Sequence, residues 1–332
     1  MQTQILPASG KALVVAADVI KEGGVVAFHT ETVYGLGANA FEDEAVLKIF
    51  ALKGRPANNP LIVHVHSDYD ISSLVDSEPS YAEKLRKAFL PGPLTMVYPS
   101  TGRVSKYVSC GLNTLAIRVP SSATAQAFLR EVNLPVAAPS ANVSKHVSPV
   151  TAQHVYDDFH GKIPLILDGG ACLGGIESTV LDCTGEVPQI LRTGLVTREM
   201  IARIAGDCTV YERQAGEQPK SPGMAYKHYS PRCKTAYFTQ AEAAVAAYSA
   251  EEARGGTPYI LCESAVAADL KAYRTLDLGE AAEAMAQNLY ALLRKGEEVA
   301  TLLIGVEPKG RGGVMDGVLN RLTRAFGEGN EV

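Results

Sequence analysis

The sequence lacks what several protein classes require. No run approaches the ~18 consecutive apolar residues that a membrane span needs, so no spanning helix is expected within its 332 residues. Residues 1–11 show no basic-then-apolar order, and a secretory signal is not expected. The six cysteines (Cys110, Cys172, Cys183, Cys208, Cys233 and Cys262) never form a Cys-x-x-Cys pair. That argues against a zinc knot and reads as scattered thiols of a cytoplasmic protein. Basic residues are not in excess either: 31 Lys and Arg stand against 36 Asp and Glu, a net charge of −5. Such a balance lacks the footprint of a dedicated nucleic-acid binder but leaves room for one basic groove around a small anion. No G-x-x-x-x-G-K-[ST] occurs, which excludes a P-loop, and no nucleophile-elbow context supports covalent acyl chemistry. Gly35-Leu36-Gly37-Ala38-Asn39-Ala40 formally fits a dinucleotide fingerprint. Arg55 stands where that motif needs an acid for the ribose, so the match is discounted.

What is present is a globular composition, 46% hydrophobic and 20% charged, at a length that suggests two domains. Period-2 and short apolar runs predict strands over 24–28, 61–65, 94–98, 114–119, 135–138, 164–167, 179–182 and 189–192. Helical spacing fits 43–53, 81–89, 123–131, 152–158 and 197–204. Many strands and Pro91-Gly92-Pro93 argue for a mixed sheet in an α+β arrangement. Residues 213–232 carry Gly, Pro, Gln and Lys without periodicity, as a linker does. Beyond them strands over 234–238, 258–262 and 301–306 alternate with helices over 240–254, 280–294 and 316–326. That alternation predicts a small parallel α/β domain of Rossmann-like type. The division is thus 1–207, a linker 208–233, and 234–332, α/β in class overall.

Candidate chemistry is concentrated between His29 and His64. Thr30-Glu31-Thr32-Val33-Tyr34-Gly35-Leu36-Gly37 follows a strand and offers hydroxyls and glycines, the materials of an anion- or carboxylate-binding turn. Lys53-Gly54-Arg55-Pro56 places two cations around a Gly at a helix end, a pairing suited to polyphosphate. Equally, two such cations oppose the negative end of a helix dipole. His64 and His66 share a strand face without a third ligand, so a substrate-facing His64 is favoured over a metal site. Arg118 closes an apolar strand and needs a partner, either a core carboxylate or a ligand anion. Pro139-Ser140-Ala141-Asn142 ends another strand with hydroxyl and amide donors. Gly174-Gly175-Ile176-Glu177-Ser178 and Arg192-Thr193-Gly194 repeat the combination of small residues, hydroxyl and cation. The inventory suits a site that positions a polyphosphate beside a small polar molecule and stabilises developing charge.

These blocks together resemble one family. Thr30 to Gly37, Lys53-Gly54-Arg55-Pro56 with Asn59-Pro60-Leu61-Ile62-Val63-His64, Pro139 to Asn142, and Glu177-Ser178-Thr179-Val180 are similar to the YrdC-like signature, in the family's order. Ser221-Pro222-Gly223-Met224 with Tyr226-Lys227-His228-Tyr229 looks like the linker of its two-domain members, and Asn320-Arg321-Leu322 fits their second domain. Those members are threonylcarbamoyl-AMP synthases. The resemblance implies condensation of L-threonine, bicarbonate and ATP into threonylcarbamoyl-adenylate, with release of pyrophosphate. The product would serve the threonylcarbamoyladenosine modification of tRNA beside the anticodon, which downstream threonylcarbamoyl transferase proteins complete. It implies a catalytic tetrad at Lys53, Arg55, Ser140 and Asn142. Thr32, His64, Arg118, Ala138 and Ser178 would hold threonine. Arg55, Asn59, Thr114, Ser140, Ser148, Arg192 and His228 would hold ATP. Mg2+ is expected on the phosphates, held by nucleotide and water, with no protein metal cage; tRNA contact would be weak and membranes uninvolved.

The chain departs from the pattern at His29, where Pro is usual, and at Ala225, where a basic residue is usual. Two other readings stand beside the synthase. One is a non-catalytic module that binds double-stranded RNA or tRNA, against which the acidic balance counts. The other is carbamoyl transfer to a different acceptor.

Overall fold

Short apolar runs and helix-period segments build two sheets in a computed structural model that describes residues 2–56, 58–211 and 229–327. The first part of the chain runs β1 (Gln4–Pro7), α1 (Lys11–Lys21), β2 (Val26–Phe28), β3 (Gly35–Asn39), α2 (Asp43–Lys53), β4 (Ile62–His64), α3 (Ser80–Phe89) and β5 (Leu94–Pro99). It continues through α4 (Lys106–Ser109), β6 (Thr114–Arg118), α5 (Ala123–Val132), β7 (Val136–Ala138), α6 (Ala152–Phe159) and β8 (Leu165–Asp168). It closes with β9 (Thr179–Asp182), β10 (Gln189–Arg192), α7 (Arg198–Ala205) and β11 (Thr209–Val210). These strands form one mixed sheet in the order β1-β8-β2-β3-β7-β4-β6-β5-β9-β10-β11. Parallel and antiparallel pairs alternate irregularly across it, as the expected α+β arrangement requires.

The second part runs β12 (Lys234–Phe238), α8 (Ala241–Ala253), β13 (Pro258–Cys262), α9 (Ser264–Asp269), β14 (Thr275–Asp277), α10 (Ala282–Val299), β15 (Leu302–Val306) and α11 (Val314–Phe326). Its four strands pair in parallel in the order β12-β15-β13-β14. The parallel α/β expectation therefore holds, with α9 and β14 added to it. Both are short, and α9 buries none of its residues, so neither carries a periodic signal.

The most consequential difference from the sequence reading is β3. The Gly35-Leu36-Gly37 stretch is a strand of the central sheet and not part of the anion- or carboxylate-binding turn expected over 30–37. A Cβ at Gly37 would meet Val136 Cγ1 at 2.7 Å and the Phe28 ring at 2.9 Å. The glycines are there because side chains of β2 and β7 occupy the space above them. The turn itself is confined to Thr30–Tyr34, whose last residues feed β3.

The two sheets are joined by polar groups buried between them. Asp158 of α6 accepts from Arg294 of α10. His146, after β7, is sandwiched by Asp158 and by Glu297 of α10. Arg232 adds a further bond to Asp158. Gly175, with φ +72°, lies against α10, where a Cβ would stand 2.1 Å from the Ala286 carbonyl oxygen.

Candidate active site

A narrow cleft, partly open to solvent, lies over the middle of the large sheet. It is lined by Thr30, Val33, Tyr34, Gly35, Arg55, Ile62, His64, Arg118, Ala138, Pro139, Ser140, Glu177, Ser178, Arg192 and Tyr229. Strand ends and the loops leaving them supply these residues, which is where an open sheet leaves room for a ligand.

Each wall has a local cause. Thr30 Oγ1 bonds the Thr32 hydroxyl at 3.0 Å, accepts from the backbone N–H of Thr32 and Val33, and donates to the Val33 carbonyl. This folds 30–33 into a hydroxyl-tied turn before β3. Helix α2 stops at Gly54, which takes the left-handed conformation that a Cβ would resist, and the chain swings Arg55 back over the cleft. Arg55 is anchored by Nε to the Asn59 carbonyl at 3.1 Å and by Nη2 to the Pro60 carbonyl at 2.9 Å. Burial lowers its pKa to about 10, so it remains a cation at neutral pH.

Lys53 lies one layer below the cleft wall. Its Nζ donates to the Ser140 carbonyl at 2.6 Å and to the Asn142 carbonyl. Burial first, and then the neighbouring Arg55 charge, push its pKa well below the usual lysine value. Ser140 Oγ donates to Asn142 Oδ1 at 2.5 Å, and Asn142 Nδ2 donates to the carbonyls of Val143 and His146. The four tetrad residues thus share one neighbourhood: Lys53 and Asn142 brace the loop, while Arg55 and Ser140 face the open space.

The opposite side carries a second set. His64 and Arg118 are register partners on adjacent strands. Burial and the Arg118 charge hold His64 at about pKa 3, so it is neutral under ordinary conditions. Arg118 Nη2 donates to Glu31 Oε1 at 2.7 Å. The sequence leaves Arg118 a choice between a core carboxylate and a ligand; in the structure its partner is Glu31. Ser178 Oγ is 2.8 Å from Thr95 Oγ1, and Arg192 donates through Nε and Nη2 to the Ser178 carbonyl.

Not every expected residue reaches the cleft. Thr32 touches it through Thr30, and Ser148 through Glu177, to whose Oε1 it donates at 2.7 Å. Asn59 is buried beside Arg55 with Oδ1 unpartnered. Thr114 lines a separate small hollow with Pro60, Ser109 and Ala116. His66 turns away to Asn133. His228 and Ala225 lie outside the described residues.

Three residues of the site, two of them lining the cleft, escape the sequence reading. Glu177 opens the Glu177-Ser178-Thr179-Val180 block, where sequence alone assigns it no role. Its Oε1 takes the Ser148 hydroxyl, and its Oε2 takes Tyr290 OH at 2.8 Å and Arg321 Nε at 3.2 Å. Burial opposes its charge, but Arg321 and Arg192 outweigh it and hold the carboxyl at about pKa 2. Tyr229, from the end of the stretch read as the linker, lines the cleft with its ring tilted against that of Tyr290 at 5.3 Å. Glu31 is the third. Glu177 and Glu31 stand beside buried arginines, a signal available from Arg118 and Arg192 alone, since buried cations need anions.

Known proteins resemble this chain along nearly its whole length. Residues 18–194 match the family described as Telomere recombination, and 196–327 match Threonylcarbamoyl-AMP synthase, C-terminal domain. A threonylcarbamoyl-AMP synthase of Pyrococcus abyssi is 39% identical over 94% of this chain and 93% of its own length. One from Bacillus subtilis is 40% identical over 94% and 92%. The crystal structure of P. abyssi Sua5 complexed with L-threonine superposes with a TM-score of 0.87 at 35% identity, covering 98% of this chain and 97% of that one.

Proposed function

This chain belongs to the threonylcarbamoyl-AMP synthase family, and from that premise we propose that its cleft condenses L-threonine, bicarbonate and ATP into threonylcarbamoyl-adenylate and pyrophosphate. The observation that carries the reading is one cleft lined by three arginines, Arg55, Arg118 and Arg192. The carbamate made from threonine and the ATP it attacks are both anionic. Threonine's amine takes up the bicarbonate carbon as a carbamate, with loss of water. A carbamate oxygen then attacks the α-phosphorus, and the bond to the leaving pyrophosphate breaks. Fixed cations that lessen the repulsion and hold the partners in line supply much of the catalysis.

In this reading Arg118 takes the threonine carboxylate, with Thr32, Ser178, the Ala138 backbone and neutral His64 around it. Arg55, Ser140 and Arg192 face the phosphates, with Asn59, Thr114, Ser148 and His228 on the rest of ATP. Lys53 and Asn142 keep the Ser140 loop in place. Mg2+ fits as an ion carried on the triphosphate, where it would neutralise phosphate charge. Among the described residues no three His, Cys, Asp or Glu groups gather into a cage, and both Glu177 oxygens are engaged. The synthase portion would run over 1–207 and on through β11 to Val210, with a linker from there to 233 and the smaller domain over 234–332. Among the described residues no helix is long and apolar enough to cross a membrane. All six cysteines are free thiols, which supports a cytoplasmic setting. The product would pass to downstream transferase proteins for tRNA modification.

The test is pyrophosphate release from MgATP by the purified chain. It should require both threonine and bicarbonate, and Lys53→Ala should lower it by roughly 100-fold or more through loss of the braced loop. No threonine- and bicarbonate-dependent release, with Lys53→Ala indistinguishable from wild type, defeats the reading.

A further inference from the structure

Arg118 is held from one side only. Its Nη2 bonds Glu31 Oε1, while its own Nε and the second Glu31 oxygen, Oε2, are buried without a hydrogen-bond partner. A guanidinium and a carboxylate can make two parallel bonds. This pair makes one, leaving a donor and an acceptor unsatisfied at a cost that a ligand can relieve. The surroundings leave Glu31 to set the local field. His64 alongside is neutral, and the Glu177 charge in the same cleft is taken up by Arg321. Arg118 and Glu31 together carry no net charge, yet they form a strong dipole with both ends in a low-dielectric wall.

We propose that Glu31 makes this site select a zwitterionic α-amino acid over a plain carboxylate of the same shape. The proposal rests on the reading that Arg118 holds the threonine carboxylate. A carboxylate arriving at Arg118 is attracted by the guanidinium and repelled by Glu31 just behind it. In threonine the α-ammonium, attached to the neighbouring carbon, is attracted by Glu31 and restores the balance. A ligand without that ammonium meets the repulsion alone. Charges a few ångströms apart in a protein wall interact strongly without touching. Glu31 therefore acts through Arg118 and through its field, as a specificity-determining positioning residue.

The probe is 3-hydroxybutanoate, which keeps the carboxylate, hydroxyl and methyl of threonine and lacks only the amine. Equilibrium titration of the full chain with each ligand gives a ratio of dissociation constants, which a merely structural role would leave alone. Wild type should favour threonine by at least about tenfold, and Glu31→Gln should bring the two within about threefold. Glu31→Asp, which keeps the charge, should retain the preference. Arg118→Ala should weaken both ligands, and threonine by roughly 10- to 1000-fold. A wild type indifferent to the amine, or a Glu31→Gln variant with the wild-type ratio, overturns the proposal while leaving Arg118 as the carboxylate holder. Unchanged threonine binding in Arg118→Ala overturns the reading beneath it. Should Glu31→Gln not fold, wild type and Glu31→Asp decide, since both must exceed tenfold.

Discussion

Arg321 is the largest fully buried side chain, at 0% exposure, and its removal should unfasten the two sheets where they meet the cleft. Its Nε bonds Glu177 Oε2 at 3.2 Å, its Nη1 donates to the Thr193 carbonyl at 2.7 Å, and its guanidinium lies 5.8 Å from the centre of the Tyr229 ring. Arg321→Met keeps most of the volume and removes the charge. What remains is a buried carboxylate with two neutral donors, Tyr290 and Ser148, and the more distant Arg192 charge. Breaking a buried pair in this way costs about 3–5 kcal/mol. The carboxyl itself gives a second measure. Its fall from 4.5 to about 2 corresponds to roughly 3 kcal/mol at about 1.4 kcal/mol per pH unit, shared between Arg321 and its other partners. A loss of about 3 kcal/mol, or roughly 4 °C in Tm for a chain of this length, follows for Arg321→Met.

Glu177→Gln leaves the opposite charge alone and should cost a similar amount. The double variant buries no charge from this pair, so it should be less damaged than the sum of the singles by about 3 kcal/mol. The assay is urea unfolding of all four proteins at pH 7. A depressed carboxyl adds stability that is fully present above its unfolded value of 4.5 and is lost as pH falls toward 2. Wild type should therefore lose this contribution over that window, and Glu177→Gln should not. Additive singles, or an Arg321→Met cost below about 1 kcal/mol, refute the reasoning, because then the pair would be solvated like a surface one.

Two further perturbations test the contact between the sheets. Hydrogen bonds to Asp158 and Glu297 outweigh burial and raise the His146 pKa, so its contribution is complete below pH 6.5 and fades as pH rises through the folded value. His146→Gln should then melt below wild type by ~3 °C at pH 6, with the gap closing by pH 9; a gap that widens with pH contradicts this. Gly175→Ala would drive a Cβ into the α10 backbone at a φ of +72° and should cost about 2–4 kcal/mol. An unchanged urea midpoint would mean that α10 does not press on that loop.

Much of the fold was legible where local pattern and tertiary demand coincide. Helix 43–53 and the strands at 179–182, 189–192, 234–238 and 258–262 lie where the spacing put them. β1 was not legible because it is an edge strand whose residues are mostly exposed, so no alternation marks it. β3 was misread for a different reason. Glycine speaks for turns when read alone, and only the Phe28 ring and Val136 above the strand explain why no side chain fits there. Candidate site residues were legible as a set because several blocks recur in family order. Their geometry was not: no spacing rule tells that Lys53 points under the loop while Arg55 faces the cleft.

One part of the missing geometry did leave a trace. Arg118 was flagged because a cation inside an apolar strand must find an anion. The same test applied to the last helix would have pointed to Arg321. It shares the buried face of α11 with Met315, Val318, Leu322 and Phe326, so the stripe that makes the helix amphipathic has a charge in its middle. Arg294 sits likewise among Leu289, Tyr290 and Leu293 on α10. A surface helix has no reason to place arginine on its apolar side unless a carboxylate waits in the neighbouring body. The carboxylates that wait are Glu177 and Asp158, both contributed by the first part of the chain. Arg321 fixes an acid on the cleft wall, and Asp158 also holds His146, whose carbonyl accepts from Asn142. The second sheet is therefore wired to both sides of the cleft through buried charge. A change that loosens this contact should be felt at Ser148 and at the Ser140 loop before it is felt in either sheet.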